Sequence, residues 1–266
     1  MIAENKNGYC AIRRNIKGRL YALAYGRPVA LQVDPIEKKP LVEFMPHTWT
    51  FSLGAYGCNL GCAFCQNHHL SRGAYPDLNG AERYLPEKIV QLAKEKDCKS
   101  IAFTYNEPLI WGEYVLDIAK FAKEQGLASV LVSNAYIAKE AREDIFPNID
   151  AANFDMKGFS EEFYQEMTGS HLQPVLDTIE YFYSIKGHVE LTNLVIPGKN
   201  DSDQMIDDYL SWVEEKLDKD VPLHFSAYRP DYKYKDSPKT PPESLYNIKE
   251  KAEGRGFGHV FLGNVR

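Results

Sequence analysis

Over most of the chain, short apolar runs alternate with longer segments whose apolar residues recur every three or four positions. Short apolar runs are typical of strands, and a period near 3.6 residues is typical of amphipathic helices. The clearest helical stripe runs from Trp111 to Ala122 and closes at Gly126, and another helix is predicted to begin at Pro86. The predicted strands are 50–55, 100–105, 128–133, 151–156, 189–196, 222–227 and 259–263.

Strands that alternate with helices predict a parallel sheet with right-handed crossovers. The last part of this pattern includes a helix that Ser202 or Asp203 is expected to cap. A chain of 266 residues, 44% of them hydrophobic, is long enough for one large core. Neither period nor length separates a closed or partial barrel from a doubly wound open sheet.

Residues 1–48 differ from the rest because turn residues and prolines interrupt a loose apolar alternation. This texture predicts a hairpin-like N-terminal extension over 1–48, followed by a core domain over 49–266. We expect the extension to act as a lid or docking strap. Its basic residues between positions 13 and 19 are interpreted as a solvated hairpin face.

Composition narrows the class of protein. No apolar run approaches the length of a membrane span, and the N-terminus lacks the apolar core of a secretory signal. Five cysteines with three of them bunched do not form the pattern of a disulfide framework. The sequence therefore predicts a cytoplasmic protein without a membrane partner. The net charge of −6 argues against nucleic acid as the main partner.

The chemistry of the chain is concentrated in the string YGCNLGCAFCQN, which holds Cys58, Cys62 and Cys65. A structural zinc site or an electron-transfer cluster usually takes four protein ligands. Three thiolates on one loop can hold a four-iron cluster and leave one iron free to bind a small molecule. The alternatives are a zinc knuckle that borrows a distant ligand and a set of buried unligated thiols.

Polar residues also follow each predicted strand, at the end where parallel α/β folds bind ligands. After the cysteine loop, these strand ends are 104–108, 133–134, 155–157, 196–201 and 228–230. Polar residues at every strand end indicate a ligand site more strongly than a polar residue at any single strand end does.

The spacing of Cys58, Cys62 and Cys65, with Phe64 before the last cysteine, resembles the signature of the radical S-adenosylmethionine (SAM) superfamily. The resemblance implies an α/β fold, a partial (β/α)6 barrel. It implies a [4Fe–4S] cluster held by the three cysteines, with SAM bound beside it. Phe64 and Asn67, within the motif, are expected to contact the cofactors.

Other strings of the sequence resemble motifs of the superfamily residue by residue. Tyr105, Asn106 and Glu107 stand where the superfamily has a Gly-Gly-Glu-like turn that holds the SAM amine. Here a backbone carbonyl near Tyr105 or Asn106, together with Glu107, is expected to do that work. The alternative for Glu107 is an acid at a helix N-terminus.

The string Asp155-Met156-Lys157 is similar to the Asp-Leu-Lys motif of glycyl-radical activating enzymes, such as the pyruvate formate-lyase activating enzyme. Two residues apart on a strand, the Asp and Lys point to one face and could act together on SAM. A simple strand-end salt bridge is the alternative. Ser133 and Asn134 match the Thr-Asn-Gly of those enzymes.

Ile196 begins a counterpart of their Val-Pro-Gly turn, which lines the adenine. Tyr228 and Arg229 replace a Tyr-His pair near SAM. An arginine there keeps a hydrogen-bond donor but removes a group that titrates near neutrality.

Longer strings, among them 34–41 and 261–265, resemble the radical SAM member of the AmmeMemoRadiSam system, and the likeness runs from about residue 8 to the end. It implies an activating-enzyme-like oxidoreductase that reductively cleaves SAM to a 5′-deoxyadenosyl radical, with an unknown substrate. Its expected partners are an electron donor such as flavodoxin or ferredoxin and a protein substrate, whereas no nucleic acid or membrane is expected. The alternatives are a non-enzymatic iron–sulfur electron carrier and a zinc-stapled binding module.

Overall fold

A computed structural model describes residues 2–72, 75 and 78–265. The strands are β1 (Arg13–Ile16), β2 (Arg19–Ala22), β3 (Ala30–Pro35), β4 (Trp49–Gly54), β5 (Ser100–Phe103), β6 (Ala128–Ser133), β7 (Ala151–Met156), β8 (His188–Val195), β9 (Leu223–Ala227) and β10 (Val260–Gly263). The α-helices are α1 (His68–Ser71), α2 (Pro86–Glu95), α3 (Gly112–Glu124), α4 (Lys139–Ile145), α5 (Glu161–Phe163), α6 (Gln173–Ser184), α7 (Asp203–Lys216) and α8 (Pro242–Gly254).

The chain forms two compact units, which we call the first unit and the second unit. The first unit consists of Met1–Leu60, Asn67–Ser133 and Ile137–Ala152. The second unit consists of Gly61–Gln66, Asn134–Tyr136 and Asn153–Arg266. Whether 1–48 and 49–266 are separate domains stays a prediction.

The sheet of the first unit has the strand order β6-β5-β4-β3. Strands β4, β5 and β6 run parallel, as predicted from their alternation with helices. Strand β3 runs antiparallel to β4, with Ala30 opposite Gly54 and Pro35 opposite Trp49. The N-terminal extension therefore contributes an edge strand to this sheet. The alternation of residues in β3 fits a strand of a local hairpin equally well, so the pairing of β3 with β4 was not predicted.

The predicted hairpin is confirmed nearer the N-terminus, where β1 and β2 pair antiparallel across a turn at Lys17 and Gly18. Both turn residues have positive φ, as the favoured two-residue hairpin turn requires. The basic face of this hairpin is not wholly solvated. The Arg13 guanidinium pairs with the Glu113 carboxylate at 2.5 Å and donates to the Ile110 carbonyl at 3.0 Å.

The segment that follows β3 packs into the core of the first unit. Fully buried Ile36 and Leu41 form a cluster with Ala102, Val130 and Ala151, which lie on β5, β6 and β7. This stretch therefore contributes to the core and does not form a surface lid or strap.

Helices α2 and α3 begin close to the predicted positions, and α3 ends at Glu124, two residues before the predicted stop at Gly126. Helix α2 starts at Pro86, which suits a first helical position because its missing N–H would be unpaired there anyway. Helix α3 starts one residue after Trp111, because the preceding Pro108–Trp111 segment forms a 3-10 turn. The apolar stripe of α3 is buried along its length, as the period predicts.

The sheet of the second unit has the strand order β10-β9-β8-β7, with β8, β9 and β10 parallel. Aromatic side chains pack helices α6 and α7 against this sheet. The ring centres of Phe154 and Phe182 lie 5.7 Å apart, and those of Tyr209 and Phe225 lie 6.2 Å apart. Helix α7 is capped as predicted, because the Ser202 hydroxyl accepts from the Met205 N–H at 3.3 Å.

Every predicted strand from residue 49 onward is present, with ends that shift by no more than two residues. Strands β6 and β7 have the predicted bounds. No helix within residues 2–72, 75 and 78–265 has both the length and the apolar character needed to cross a membrane.

Candidate active site

The cysteine motif divides between the two units: Cys58 belongs to the first, and Cys62 and Cys65 to the second. The Cys58 sulfur accepts from the Leu60 N–H at 3.4 Å. The Cys58 carbonyl accepts from the Arg72 guanidinium at 3.1 Å, and that guanidinium lies 4.1 Å from the centre of the Tyr9 ring. The backbone around Cys58 is thus held by contacts of its own unit.

The second half of the motif is held by backbone hydrogen bonds. The Gly61 N–H donates to the Thr168 carbonyl at 2.7 Å, and the Ala63 N–H donates to the Met167 carbonyl at 2.9 Å. Both acceptors lie in a π-helical turn that follows α5. Buried Phe64 packs with its ring centre 6.1 Å from that of Phe163. This contact fixes the ring of Phe64, and its predicted contact with the cofactors stays a prediction.

Asp155 and Lys157 lie on one face at the end of β7, as their spacing predicts, and their side chains form an ion pair. The side chain of Lys157 is 15% exposed and that of Asp155 is 34% exposed. Burial by itself would lower the pKa of Lys157, but attraction to Asp155 and to the cysteine sulfurs outweighs it and the pKa is raised. Lys157 therefore stays protonated at neutral pH.

The same charges act on the thiol of Cys62. Burial raises the pKa of Cys62 to about 11, and the nearby Lys157 ammonium opposes that rise. The free thiol is thus protonated at neutral pH. Lys157 supplies positive charge that favours the thiolate form, which is the form that binds metals.

The predicted turn at 105–107 lies in the first unit and is bonded to both ends of the cysteine loop. Tyr105 adopts a left-handed conformation, with φ of 76°, where the superfamily turn has a glycine. Its carbonyl accepts from the Asn67 side-chain amide at 2.8 Å. The Asn106 side chain accepts from the Ala55 N–H at 3.0 Å and donates to the Gly57 carbonyl at 2.9 Å.

Glu107 is buried, and its carboxylate has partners within the protein. It accepts from the Leu109 N–H at 2.9 Å and from the Ser133 hydroxyl at 2.8 Å. The first bond is the helix N-terminal arrangement named above as the alternative, here at the start of a 3-10 turn. The buried Asn134, in the second unit, accepts from the Tyr136 N–H at 2.9 Å.

The remaining predicted residues lie in the second unit. Buried Ile196 donates its N–H to the Asn200 side chain at 2.6 Å. Tyr228 is buried with its hydroxyl donating to the Tyr234 carbonyl, whereas Arg229 is exposed. Their cofactor roles stay predictions.

Two residues that sequence reasoning missed organise these strand ends. Asn200 donates to the Lys157 carbonyl at 2.7 Å and to the Leu194 carbonyl at 2.8 Å, so it joins the ends of β7 and β8. Asp34 accepts from the Tyr105 hydroxyl at 2.9 Å. Both lie in strings singled out in the sequence, but nothing in their spacing identified them.

Among the described side chains, no three or more His, Cys, Asp or Glu are spaced to hold a metal ion. The assignment of Cys58, Cys62 and Cys65 as ligands therefore stays a prediction.

Comparison with known proteins decides the class of this site. Residues 53–210, which contain the cysteine motif and the Asp155–Lys157 pair, match the radical SAM superfamily. The chain belongs to the radical SAM superfamily. It is therefore an enzyme, and a [4Fe–4S] cluster and SAM are the cofactors of its family. The comparisons therefore support an enzyme over a non-enzymatic electron carrier or a zinc-stapled binding module.

Two relatives show where the chain lies in this superfamily. The uncharacterized protein MJ0808 of Methanocaldococcus jannaschii is 40% identical over 268 residues, covering 100% of this chain and 78% of that protein. The 4-hydroxyphenylacetate decarboxylase activating enzyme of Clostridioides difficile is 27% identical over 142 residues. That match covers 51% of this chain and 45% of the enzyme, so the chain spans less than half of the enzyme's length. The predicted likeness to activating enzymes is confirmed.

A solved structure confirms the fold class. The structure of Streptococcus suis SuiB bound to SAM superposes with a TM-score of 0.61 at 14% identity, covering 80% of this chain and 49% of SuiB. The chain thus has the predicted α/β fold of the radical SAM partial barrel, with an N-terminal antiparallel hairpin.

Proposed function

We propose that this enzyme holds a [4Fe–4S] cluster through Cys58, Cys62 and Cys65 and cleaves SAM reductively, in the manner of an activating enzyme. One observation carries the proposal: a three-cysteine motif without a fourth neighbouring cysteine lies within the segment that matches the superfamily. A cluster with three protein ligands keeps one iron available for SAM.

The residues fit the group by their chemistry. Thiolates are the usual ligands of iron–sulfur clusters, and hydrogen bonds to the sulfurs tune such clusters. The Leu60 N–H already points at the Cys58 sulfur. The Lys157 ammonium lies in the field of Cys62 and Cys65, where it offsets part of the negative charge of bound thiolates.

When bound, a reduced cluster supplies one electron to the sulfonium of SAM, whose cleavage gives methionine and a 5′-deoxyadenosyl radical. The protein's part is binding and orientation. The Oδ1 atom of Asp155 is buried and has no hydrogen-bond partner among the described residues. It is an acceptor suited to the methionyl ammonium of SAM, and Lys157 holds the other carboxylate oxygen in place.

The remaining cofactor assignments follow the strand ends. Tyr105 to Glu107, Ser133 and Asn134 are proposed to line the methionyl and ribose parts of SAM. Ile196, Tyr228 and Arg229 are proposed to line the adenine side.

The substrate class rests on the relatives. The C. difficile relative is named for activating a decarboxylase, that is, another protein. We therefore propose a protein substrate for this chain and a flavodoxin or ferredoxin as its electron donor.

Anaerobic reconstitution tests the cluster. The wild-type protein should bind about four irons and four sulfides, give a reduced [4Fe–4S] electron paramagnetic resonance (EPR) signal that changes with SAM, and form 5′-deoxyadenosine with dithionite. Cys58→Ala, Cys62→Ala and Cys65→Ala should each lose the signal. Cys98→Ala, which removes a buried thiol outside the motif, is the matched control and should keep it. Full iron and sulfide in all three motif variants would show that the ligand assignment is wrong.

A second experiment tests the Asp155–Lys157 pair. Asp155→Asn or Lys157→Ala should weaken SAM binding or cleavage while cluster content and melting temperature stay close to those of the wild type. A protein that loses stability but retains normal SAM affinity would instead support the salt-bridge alternative.

A further inference from the structure

A buried ionic network lies in the first unit, centred on Asp34 at the end of β3. The Asp34 carboxylate is bonded to the Lys39 ammonium at 2.6 Å, to the Lys38 ammonium at 2.8 Å and to the Tyr105 hydroxyl at 2.9 Å. The side chains of Asp34 and Lys39 are only 4% and 2% exposed, whereas that of Lys38 is 65% exposed. Lys39 and Tyr105 thus form the buried arms of the network and Lys38 an exposed one.

A buried ion pair such as that of Asp34 and Lys39 usually adds little to the stability of a protein. Desolvation of two charges offsets much of their attraction, and apolar replacements of similar volume are often neutral or stabilising. Burial by itself would raise the pKa of Asp34, but the bonds from Lys38, Lys39 and Tyr105 hold it well below its usual range. Asp34 is therefore ionised at neutral pH.

The network fixes a residue in a strained conformation. Tyr105 has φ of 76°, which glycine adopts freely but a bulky side chain does not. Such a conformation persists only where the surroundings determine it from several directions. Here the hydroxyl is bonded to Asp34, and the Lys39 ammonium lies 5.3 Å from the centre of the ring.

The strained turn is joined directly to the two ends of the cysteine loop. Ahead of Cys58, the Ala55 N–H and the Gly57 carbonyl are both bonded to the Asn106 side chain. After Cys65 along the chain, the Asn67 side chain donates to the Tyr105 carbonyl. A shift of Tyr105 would therefore disturb the exit and the entry of the loop together.

Strand β4 packs closely against the other side of the turn. A Cβ at Gly54 would lie 2.6 Å from the Thr104 carbonyl oxygen and 2.9 Å from the Tyr105 ring. The close approach of β4 restricts the turn on one side, and the bond to Asp34 holds the hydroxyl end of the Tyr105 side chain.

We propose that Asp34 and Lys39 are positioning residues that orient the cysteine loop through the Tyr105 side chain. This inference rests on the proposed function, because the loop is taken to hold the cluster. Asp34 and Lys39 touch neither cluster nor SAM in this proposal. They act through Tyr105, Asn106 and Asn67.

Tyr105→Phe is the sharpest test, since it removes only the hydroxyl bonded to Asp34 and keeps the ring. Asp34→Asn is the second variant, and Lys38→Met, at the exposed arm, is the matched control. In apo protein, we expect the Ala55 amide to exchange with solvent at least about tenfold faster in Tyr105→Phe than in Lys38→Met, the scale of one lost hydrogen bond to a charged group. The amides of 101–103 in β5 should keep wild-type protection, which separates a local effect from global destabilisation.

Reconstituted protein supplies a spectroscopic readout. Tyr105→Phe should bind the same iron as the wild type, but its reduced EPR signal should change less with SAM and its SAM Kd should rise about tenfold. Lys38→Met should match the wild type. Equal amide exchange and an equal EPR response in Tyr105→Phe, Asp34→Asn and Lys38→Met would overturn the inference, as would a uniform loss of protection with an unchanged SAM Kd. If wild-type protein bound no cluster, the proposed function would fail, while amide exchange in apo protein would still decide the link from Asp34 to the loop.

Discussion

Replacement of Leu41 by alanine should destabilise the first unit strongly, although Leu41 lies in the N-terminal extension. Leu41 is fully buried. With Ile36 it packs against Ala102, Val130 and Ala151, whose strands are fixed by their hydrogen bonds. The surroundings can therefore collapse only partly around the shortened side chain.

The magnitude follows from transfer and cavity terms. Leu→Ala removes the equivalent of three methylene groups at about 0.8 kcal/mol each, or about 2.4 kcal/mol. The cavity that remains in a rigid surround brings the expected loss to about 3–4 kcal/mol in the free energy of unfolding.

Leu20→Ala is the matched control, because it makes the same chemical change in the β1–β2 hairpin. Leu20 is 48% exposed, so its replacement by alanine costs only about half of the transfer free energy worked out for Leu41. No cavity forms at this exposed position. We expect a cost of about 1 kcal/mol or less.

Urea titrations of the apo proteins, followed by circular dichroism, measure both values as shifts of the midpoint at constant slope. A loss in Leu41→Ala no larger than that in Leu20→Ala would refute the reasoning. It would mean that the segment after β3 lies on the surface, as a lid or strap does.

Two further predictions concern the loop and the second unit. Gly57→Ala should abolish cluster binding, because a Cβ would overlap the Cys10 carbonyl oxygen. Gly18→Ala is the control, since Gly18 also has a positive φ but a Cβ there would meet no neighbour, and this variant should bind a normal amount of iron. Iron analysis of both variants after reconstitution checks the prediction, and equal iron contents would contradict it. Hydrogen bonding to Arg255 lowers the pKa of Glu214 to about 2, so its contribution is present above about pH 4.5 and is lost as the pH falls toward 2. The melting temperatures of wild type and Glu214→Gln should therefore differ at neutral pH and converge near pH 2, and a constant difference would show that Glu214 does not titrate as described.

The parts of the fold that could be predicted are those whose signals lie close together in the sequence. Strands 128–133 and 151–156 have the predicted bounds because an apolar run and the polar residues that end it are adjacent in sequence. The apolar period placed helix α3 within one residue of its start for the same reason. The cysteine motif is also local, since three ligands within eight residues require no knowledge of the fold.

The site was predictable only to the level of single strand ends. The period of two along β7 placed Asp155 and Lys157 on one face. Sequence could not show that Glu107 would bond to Leu109 and Ser133. For Glu107 the sequence left two readings open. Its bond from the Leu109 N–H is that of a helix N-terminal acid, and its role toward SAM stays a prediction.

Contacts between residues far apart in the chain were decided by the tertiary structure alone. Asp34 and Tyr105 are 71 positions apart, and Arg13 and Glu113 are 100 positions apart. Neither pair leaves a periodic signal, because a hydrogen bond or ion pair depends on where the fold brings two atoms and not on their spacing along the chain. The sequence by itself determined the class of chemistry, through three cysteines and the strand ends that follow them. The tertiary structure decided how the Tyr105 turn is anchored and how the Lys157 charge bears on Cys62, because both depend on distances that folding sets.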